Sequence, residues 1–264
     1  MRKVAIIKVC TVFALVFVQG CSLVKVGVSA KRPNAPVSLT LSDSLKITTW
    51  GPVRINKADF FPASFQIISG EMVIYIDPFV INEAARADFI FITHAHPDHL
   101  SLTDIARLAK PETIIICPRK VATKLKKSGL QLQVVKPGDV LELNRLKCIM
   151  MPANNLRPVF LWLKAHPVAA QNVGYVLNFD TGQRLYHAGD TDYIPELNRL
   201  GRLTVALIPI GGGKLTMECA DAARLVNTLQ PDIAIPMHYE ISEKFDPETF
   251  RKLIQSDIRV HFLR

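Results

Sequence analysis

Cysteine is scarce in this chain and poorly placed for a disulfide framework. Five occur in 264 residues. Cys10 and Cys21 lie near the amino terminus; Cys117, Cys148 and Cys219 are odd in number and match no zinc-knuckle or paired spacing. Cys117 closes the strand-like TIIIC and Cys148 sits in LKCIM, where buried, inert thiols are expected. No dense Lys/Arg block with interleaved aromatics appears, which removes nucleic acid as a partner. No Gly-x-Ser-x-Gly elbow occurs, so there is no serine nucleophile of that kind. Fixed-period repeats and low-complexity tracts are also absent. The apolar stretch from Val9 to Val18 is too short for an ordinary membrane span, because Lys8 interrupts it.

That stretch belongs to a distinctive start. MRKVAIIKVCTVFALVFVQGCS combines a basic opening (Arg2, Lys3), the apolar stretch and Gly20-Cys21, the layout of a bacterial secretory signal. Val18-Gln19-Gly20-Cys21 resembles a lipobox, although Gln19 is unusual there. It implies that residues 1–20 are removed and that Cys21 is lipidated. An ordinary cut after Val28-Ser29-Ala30 is the alternative. Residues 21–43, with two prolines and many small residues, read as a tether. Ser22 follows the cysteine where an aspartate would signal retention. The expected location is therefore the cell envelope, with the protein lipid-anchored at the outer membrane where the host has one. The formal charge of +9 drops to +6 once Arg2, Lys3 and Lys8 leave (9 − 3). A modestly basic chain suits an anionic membrane surface or a phosphate-bearing substrate.

With 49% hydrophobic and 21% charged residues, the remainder reads as globular. From about Ser44, LKITTW, SFQII and MVIYID look like strands, and DFIFIT like a strand buried on both faces. Ser101 and Asp104 form a capping box for helix SLTDIARLAK, which Pro111 stops. TIIIC, helix RKVATKLKKSG and LQVV follow, then the pairs VLEL/LKCIMM and VGYVLNF/RLYHAG. VALIPI leads through Gly211-Gly212-Gly213 into helix MECADAARLVNTLQ with Thr216 as its N-cap, a start that can receive an anion or is a plain loop. Strand DIAIPMH, helix DPETFRKLIQ and strand IRVHFL end the chain. Two sheets packed together and flanked by helices are predicted.

The chemistry concentrates in ITHAHPDHL, where His94, His96, Asp98 and His99 follow an apolar strand directly. Imidazole and carboxylate at a strand end suit zinc and similar divalent metals. This HxHxDH spacing resembles the metallo-β-lactamase superfamily, and the likeness extends over nearly all of residues 44–264. IYIDPF resembles that family's strand ending in Asp77-Pro78. HAGDTD resembles its Gly-Asp motif, which makes Asp190 the bridging carboxylate, and IPMHY gives His238 as the last ligand. Pro152-Ala153-Asn154-Asn155, then His166-Pro167 and NVGYV, resembles another pattern of that superfamily, which implies His166 as the third ligand of the first metal, a loop histidine without function being the alternative. The stretches around GDTD and PMHY resemble the branch of ascorbate-6-phosphate lactonase-like proteins and N-acylphosphatidylethanolamine phospholipase D.

The resemblance implies an αββα sandwich holding two divalent ions, zinc first among them. One ion sits on His94, His96 and His166, the other on Asp98, His99 and His238, with Asp190 between. Water bridging them would have a pKa lowered to about 7, and Asp98 would orient the resulting hydroxide. The expected activity is hydrolysis of a phosphodiester, phospholipid-like or lactone substrate in the envelope. β-Lactam hydrolysis ranks below it, and a lipid-anchored binding protein without turnover is the non-enzyme alternative. His187 is expected to pack behind the ligands and His261 to lie away from them. VFLWL, residues 159–163, contacts an acyl chain or membrane, or else packs in the core.

Overall fold

A computed structural model of the chain describes residues 35–55, 58–82, 84–243 and 245–263. The signal segment, Cys21 and the first part of the tether lie outside the described residues. The first half runs β1 (Val37–Ser42), β2 (Leu45–Thr49), β3 (Val53–Ile55), β4 (Ala58–Phe61), β5 (Phe65–Ser69), β6 (Met72–Ile76), β7 (Ala87–Phe91), α1 (Leu102–Leu108), β8 (Ala109–Pro118), α2 (Arg119–Leu125) and β9 (Gln131–Val135). The second runs β10 (Val140–Leu143), β11 (Leu146–Pro152), β12 (Val173–Phe179), β13 (Arg184–His187), β14 (Val205–Pro209), α3 (Cys219–Leu229), β15 (Ile233–Met237), β16 (Tyr239–Ile241), α4 (Glu248–Lys252) and β17 (Arg259–Val260).

Two seven-stranded sheets result, ordered β1-β2-β5-β6-β7-β8-β9 and β10-β11-β12-β13-β14-β15-β17. Because side chains alternate along a strand, each central strand of the first sheet serves two cores. Phe91 and Ile116 point to the other sheet, against Met150 and Tyr175. Ile90, Ile92, Ile115 and Cys117 point outward, against Ile105 and Leu108 of α1 and Val121 and Leu125 of α2. Ala222, Leu225 and Val226 of α3 join the main core, covering the second sheet. The αββα sandwich and the doubly buried DFIFIT strand are therefore both present. Tyr175 ties the sheets together: its buried hydroxyl donates to the carbonyls of Ile92 (2.7 Å) and Ile116 (3.1 Å), and its ring lies edge-on to Phe91. A buried phenol needs such a partner.

Several boundaries differ from the expectation. Residues 37–42, assigned to the tether, form edge strand β1 antiparallel to β2, because alternate residues Val37, Leu39 and Leu41 pack on the core. Helix α1 ends at Leu108, and β8 runs through Pro111; the residue before a proline favours extended backbone. Ser101 does cap α1, accepting from the Asp104 amide at 3.2 Å. The Asp104 carboxylate instead accepts the amides of Val80 and Ile81. Helix α3 starts at Cys219 with Glu218 in the cap position, while the Thr216 hydroxyl accepts from the Gly212 amide at 3.0 Å. With that amide occupied, the glycine run offers less to an anion. Gly211 has another use: a Cβ there would lie 2.3 Å from the carbonyl oxygen of His238. Small sheet β16-β4-β3 pairs Tyr239 with Phe61 and so pins the chain just after His238.

Candidate metal centre

The parallel strands β6 and β7, and β13 and β15 of the other sheet, all end on one side. Irregular backbone begins there, free to turn side chains toward one point. Asp77 follows β6 with a left-handed φ of +46°, and His238 follows β15 at +53°. Such backbone is costly for non-glycine residues and persists only where surroundings hold it.

Three of the site histidines, His94, His99 and His166, are aimed by a partner behind them. Asp77 takes the Thr93 amide on Oδ1 (2.7 Å), and the Thr93 hydroxyl (2.6 Å) and His99 Nδ1 (2.7 Å) on Oδ2. His99 therefore donates through Nδ1 and turns Nε2 toward Asp98 and Asp190. The Thr93 hydroxyl, donating to Asp77, accepts from His94 Nδ1 at 2.9 Å and leaves His94 Nε2 bare. Asn155 Oδ1 accepts from both the backbone nitrogen and Nδ1 of His166, at 3.0 and 2.8 Å. Partners of this kind fix the tautomer and ring direction of a metal-ligating imidazole.

The open ends converge. Ligand atoms of His94, His96, His166 and Asp190 all lie within 4.8 Å of one another, as do those of Asp98, His99 and His238. Asp190 sits between the two groups. Its Oδ2 is 3.8 Å from His94 Nε2, 3.6 Å from His166 Nε2 and 3.1 Å from His238 Nε2; its Oδ1 is 3.4 Å from His99 Nε2. Asp98 Oδ2 lies 3.3 Å from His238 Nε2 and 3.5 Å from His99 Nε2. The structure thus brings together all seven residues that the sequence singled out. His94 Nε2, His99 Nε2 and Asp190 Oδ1 are buried without a hydrogen-bond partner. Such atoms are costly to bury unless something else satisfies them, and imidazole and carboxylate donors of this kind fit divalent metal.

Charge in the site follows the same geometry. Burial alone would lower the pKa of His238, but the Asp190 and Asp98 carboxylates raise it to about 9. His99 is likewise raised against burial by Asp190, Asp98 and Asp77. Burial lowers His94 and His96, and brings His166 to about 4. Burial would raise Asp190, yet His238 and His99 hold it well below the carboxylate range; His99 and His238 do the same to Asp98.

Both nitrogens of His187 are engaged, Nε2 with the Ala63 carbonyl and Nδ1 with the Gly189 amide, so it packs behind the site as expected. His261 belongs to no such cluster among the described residues. Cys117 and Cys148 are buried, which pushes the Cys117 thiol up to about 12 and raises Cys148 as well. Sequence reasoning assigned no role to Asp77, Thr93 or Asn155. The Asp77-Pro78 and Pro-Ala-Asn-Asn stretches were the available signals. Residues 159–163 prove solvent-exposed, not core.

Residues 63–239 match the family model described as a β-lactamase superfamily domain. A UPF0173 protein from Pyrococcus furiosus is 34% identical over 188 residues, 69% of this chain and 82% of its own. A UPF0173 metal-dependent hydrolase from Archaeoglobus fulgidus is 31% identical over 224 residues, 75% of this chain and 91% of its own. The crystal structure of a candidate metal-dependent hydrolase from Parabacteroides distasonis superposes with a TM-score of 0.69 at 28% identity, covering 87% of this chain and 98% of that one.

Proposed function

The chain belongs to the metallo-β-lactamase-fold superfamily of metal-dependent hydrolases, and on that premise we propose that it is a two-metal enzyme of the cell envelope acting on a phosphodiester, phospholipid-like or lactone bond. One observation carries the reading: Nε2 of His94, Nε2 of His99 and Oδ1 of Asp190 are buried, unpartnered and directed at one another's neighbourhood. His94, His96 and His166 would hold one ion, Asp98, His99 and His238 the other, and Asp190 would touch both. Zinc suits these nitrogen and carboxylate donors. When bound, such ions act as Lewis acids and bring the pKa of water toward neutrality.

The chain's own residues supply orientation. Asp77, Thr93 and Asn155 hold the imidazoles so that ligand lone pairs face inward. Asp98, the least buried of the two aspartates in the cluster, is placed to take and pass a proton at Oδ2. His238, whose pKa the Asp190 and Asp98 carboxylates raise to about 9 against burial, would give up its proton if its Nε2 served as a ligand. A lipid anchor on Cys21 would keep this centre at the membrane.

Elemental analysis combined with a panel of phosphodiesters, phospholipids, lactones and β-lactams tests the reading. Near two zinc ions per chain, with metal-dependent turnover of a phosphodiester or lactone, is the expected result. Absence of bound transition metal after reconstitution defeats it. Turnover of β-lactams alone, or full metal loading with no hydrolysis, would favour the β-lactam or binding-protein alternatives.

A further inference from the structure

We propose that residues 156–163 form a membrane-docking finger that seats the metal centre on an anionic lipid surface. The stretch LRPVFLWL folds back on itself: the Val159 amide donates to the Leu163 carbonyl and the Leu163 amide to the Phe160 carbonyl, each at 2.8 Å. At the tip, Trp162 is 76% exposed and Phe160 and Leu161 60% each; Leu156, Val159 and Leu163 are exposed beside them. A turn that faced water only would carry polar residues or glycine here. Instead Leu161 occupies the left-handed region at φ +50°, where glycine or asparagine would sit with less strain.

Three features select a lipid surface as the occupant. The amides of Val159, Phe160 and Leu163 are closed within the finger, so only the tip backbone at Leu161 and Trp162 has to be met by the polar headgroup layer when the side chains enter the apolar phase. Tryptophan at the tip suits the boundary between headgroups and acyl chains. Charge matches as well. From Leu156 to Phe179 the chain has no acidic residue, and Lys164 borders the apolar tip. The neighbouring turn is joined through the Asn155 side-chain amide, which donates to the Leu215 carbonyl at 2.9 Å. It repeats the pattern with Lys214 and an exposed Leu215. Lys164 and Lys214 form no ion pair among the described residues, whereas Arg157 is held by Asp192 and Glu218.

The base of the finger is also the mount of a site histidine. Asn155 and His166 bracket it, bonded backbone to backbone at 2.8 Å, and the Asp192 carboxylate accepts the amides of Leu156 and Arg157. A tip sunk to the level of the acyl chains would therefore hold His166 near the headgroups. The segment from Cys21 to Val37 can reach at most ~55 Å, more than the ~45 Å width of a domain this size, so an anchored chain can still turn this face to the bilayer. Resting on the hydrolase reading, the substrate class becomes a lipid whose scissile ester or phosphodiester lies at headgroup depth. The docking itself rests on the finger alone.

The full chain contains two tryptophans, and Trp50 is buried, so fluorescence changes on docking report Trp162. Vesicles of phosphatidylglycerol and phosphatidylethanolamine should shift its emission to the blue. Lipids brominated on the acyl chain should quench it, with or without bound metal, and Leu161→Asp should abolish the quenching while the protein keeps its fold and metal content. Protein that floats with the vesicles while Trp162 stays unshifted and unquenched overturns the proposal. So does shielding of Trp162 without lipid in a sedimenting dimer, which would make the occupant a second copy. Hydrolysis without quenching defeats the docking, and quenching without hydrolysis defeats the enzymatic reading instead.

Discussion

One oxygen of Asn155 holds two nitrogens of His166, the backbone amide at 3.0 Å and ring Nδ1 at 2.8 Å. A single amide therefore fixes where His166 stands and which ring nitrogen it offers. Asn155→Ala should weaken metal binding at the first position by about 10–100-fold, the usual effect of losing such a partner. Asn155→Asp, which keeps the acceptor, should recover much of the loss. Competition with a chromophoric chelator measures both, and equal affinity in the alanine variant would leave the bond without a part in metal binding.

Asp190→Ala removes the carboxylate between the two ligand groups. Turnover should fall to background and bound metal to one ion or fewer per chain, with the far-ultraviolet dichroism retained. Undiminished turnover would show that Asp190 does not join the two ions.

Metal uptake should release protons at neutral pH. His238 has a pKa of about 9 in the metal-free chain, raised from the ordinary 6.5 by Asp190 and Asp98 against the effect of burial. It is therefore charged at pH 7, and a metal must displace that proton. Release should fade, and apparent affinity level off, as pH passes about 9. Calorimetry in buffers of different ionisation enthalpy reads the number released, and identical heats at pH 7 would rule the coupling out.

Gly211→Ala should destabilise the fold by about 1–3 kcal/mol or more, because its Cβ would fall 2.3 Å from the carbonyl oxygen of His238. That neighbour is main chain and cannot rotate away. A denaturant midpoint unchanged from the parent would show that the strand end yields more easily than the packing indicates.

Six of the seven converging residues were legible in the sequence because HxHxDH, HAGD and PMHY are local patterns at strand ends; His166 needed the longer PANN and HP spacing. Their supports were not. Asp77 reaches His99 across 22 positions and Asn155 reaches His166 across 11, and a lone aspartate or asparagine carries no signal of what it will meet. Strand DFIFIT declared itself by length and apolarity, whereas β3 and β4, at three and four residues, fell below any pattern. The tether boundary slipped because VSLTLS alternates too briefly to outweigh the prolines before it. VFLWL was ambiguous for a physical reason: an apolar run reads alike whether it fills a core or projects from it. Only the exposure of these side chains in the folded chain decides.

The seven converging side chains are drawn from positions 94 to 238 and from both sheets. The complete donor set therefore exists only once β15 has docked and brought His238 to the other six. Metal loading would then be the final act of maturation, performed wherever the finished sandwich first forms. Since selection among divalent ions of this row rests on geometry, ligand type and the ions at hand rather than on raw affinity, the compartment in which the sandwich closes would share in deciding which metal the centre takes.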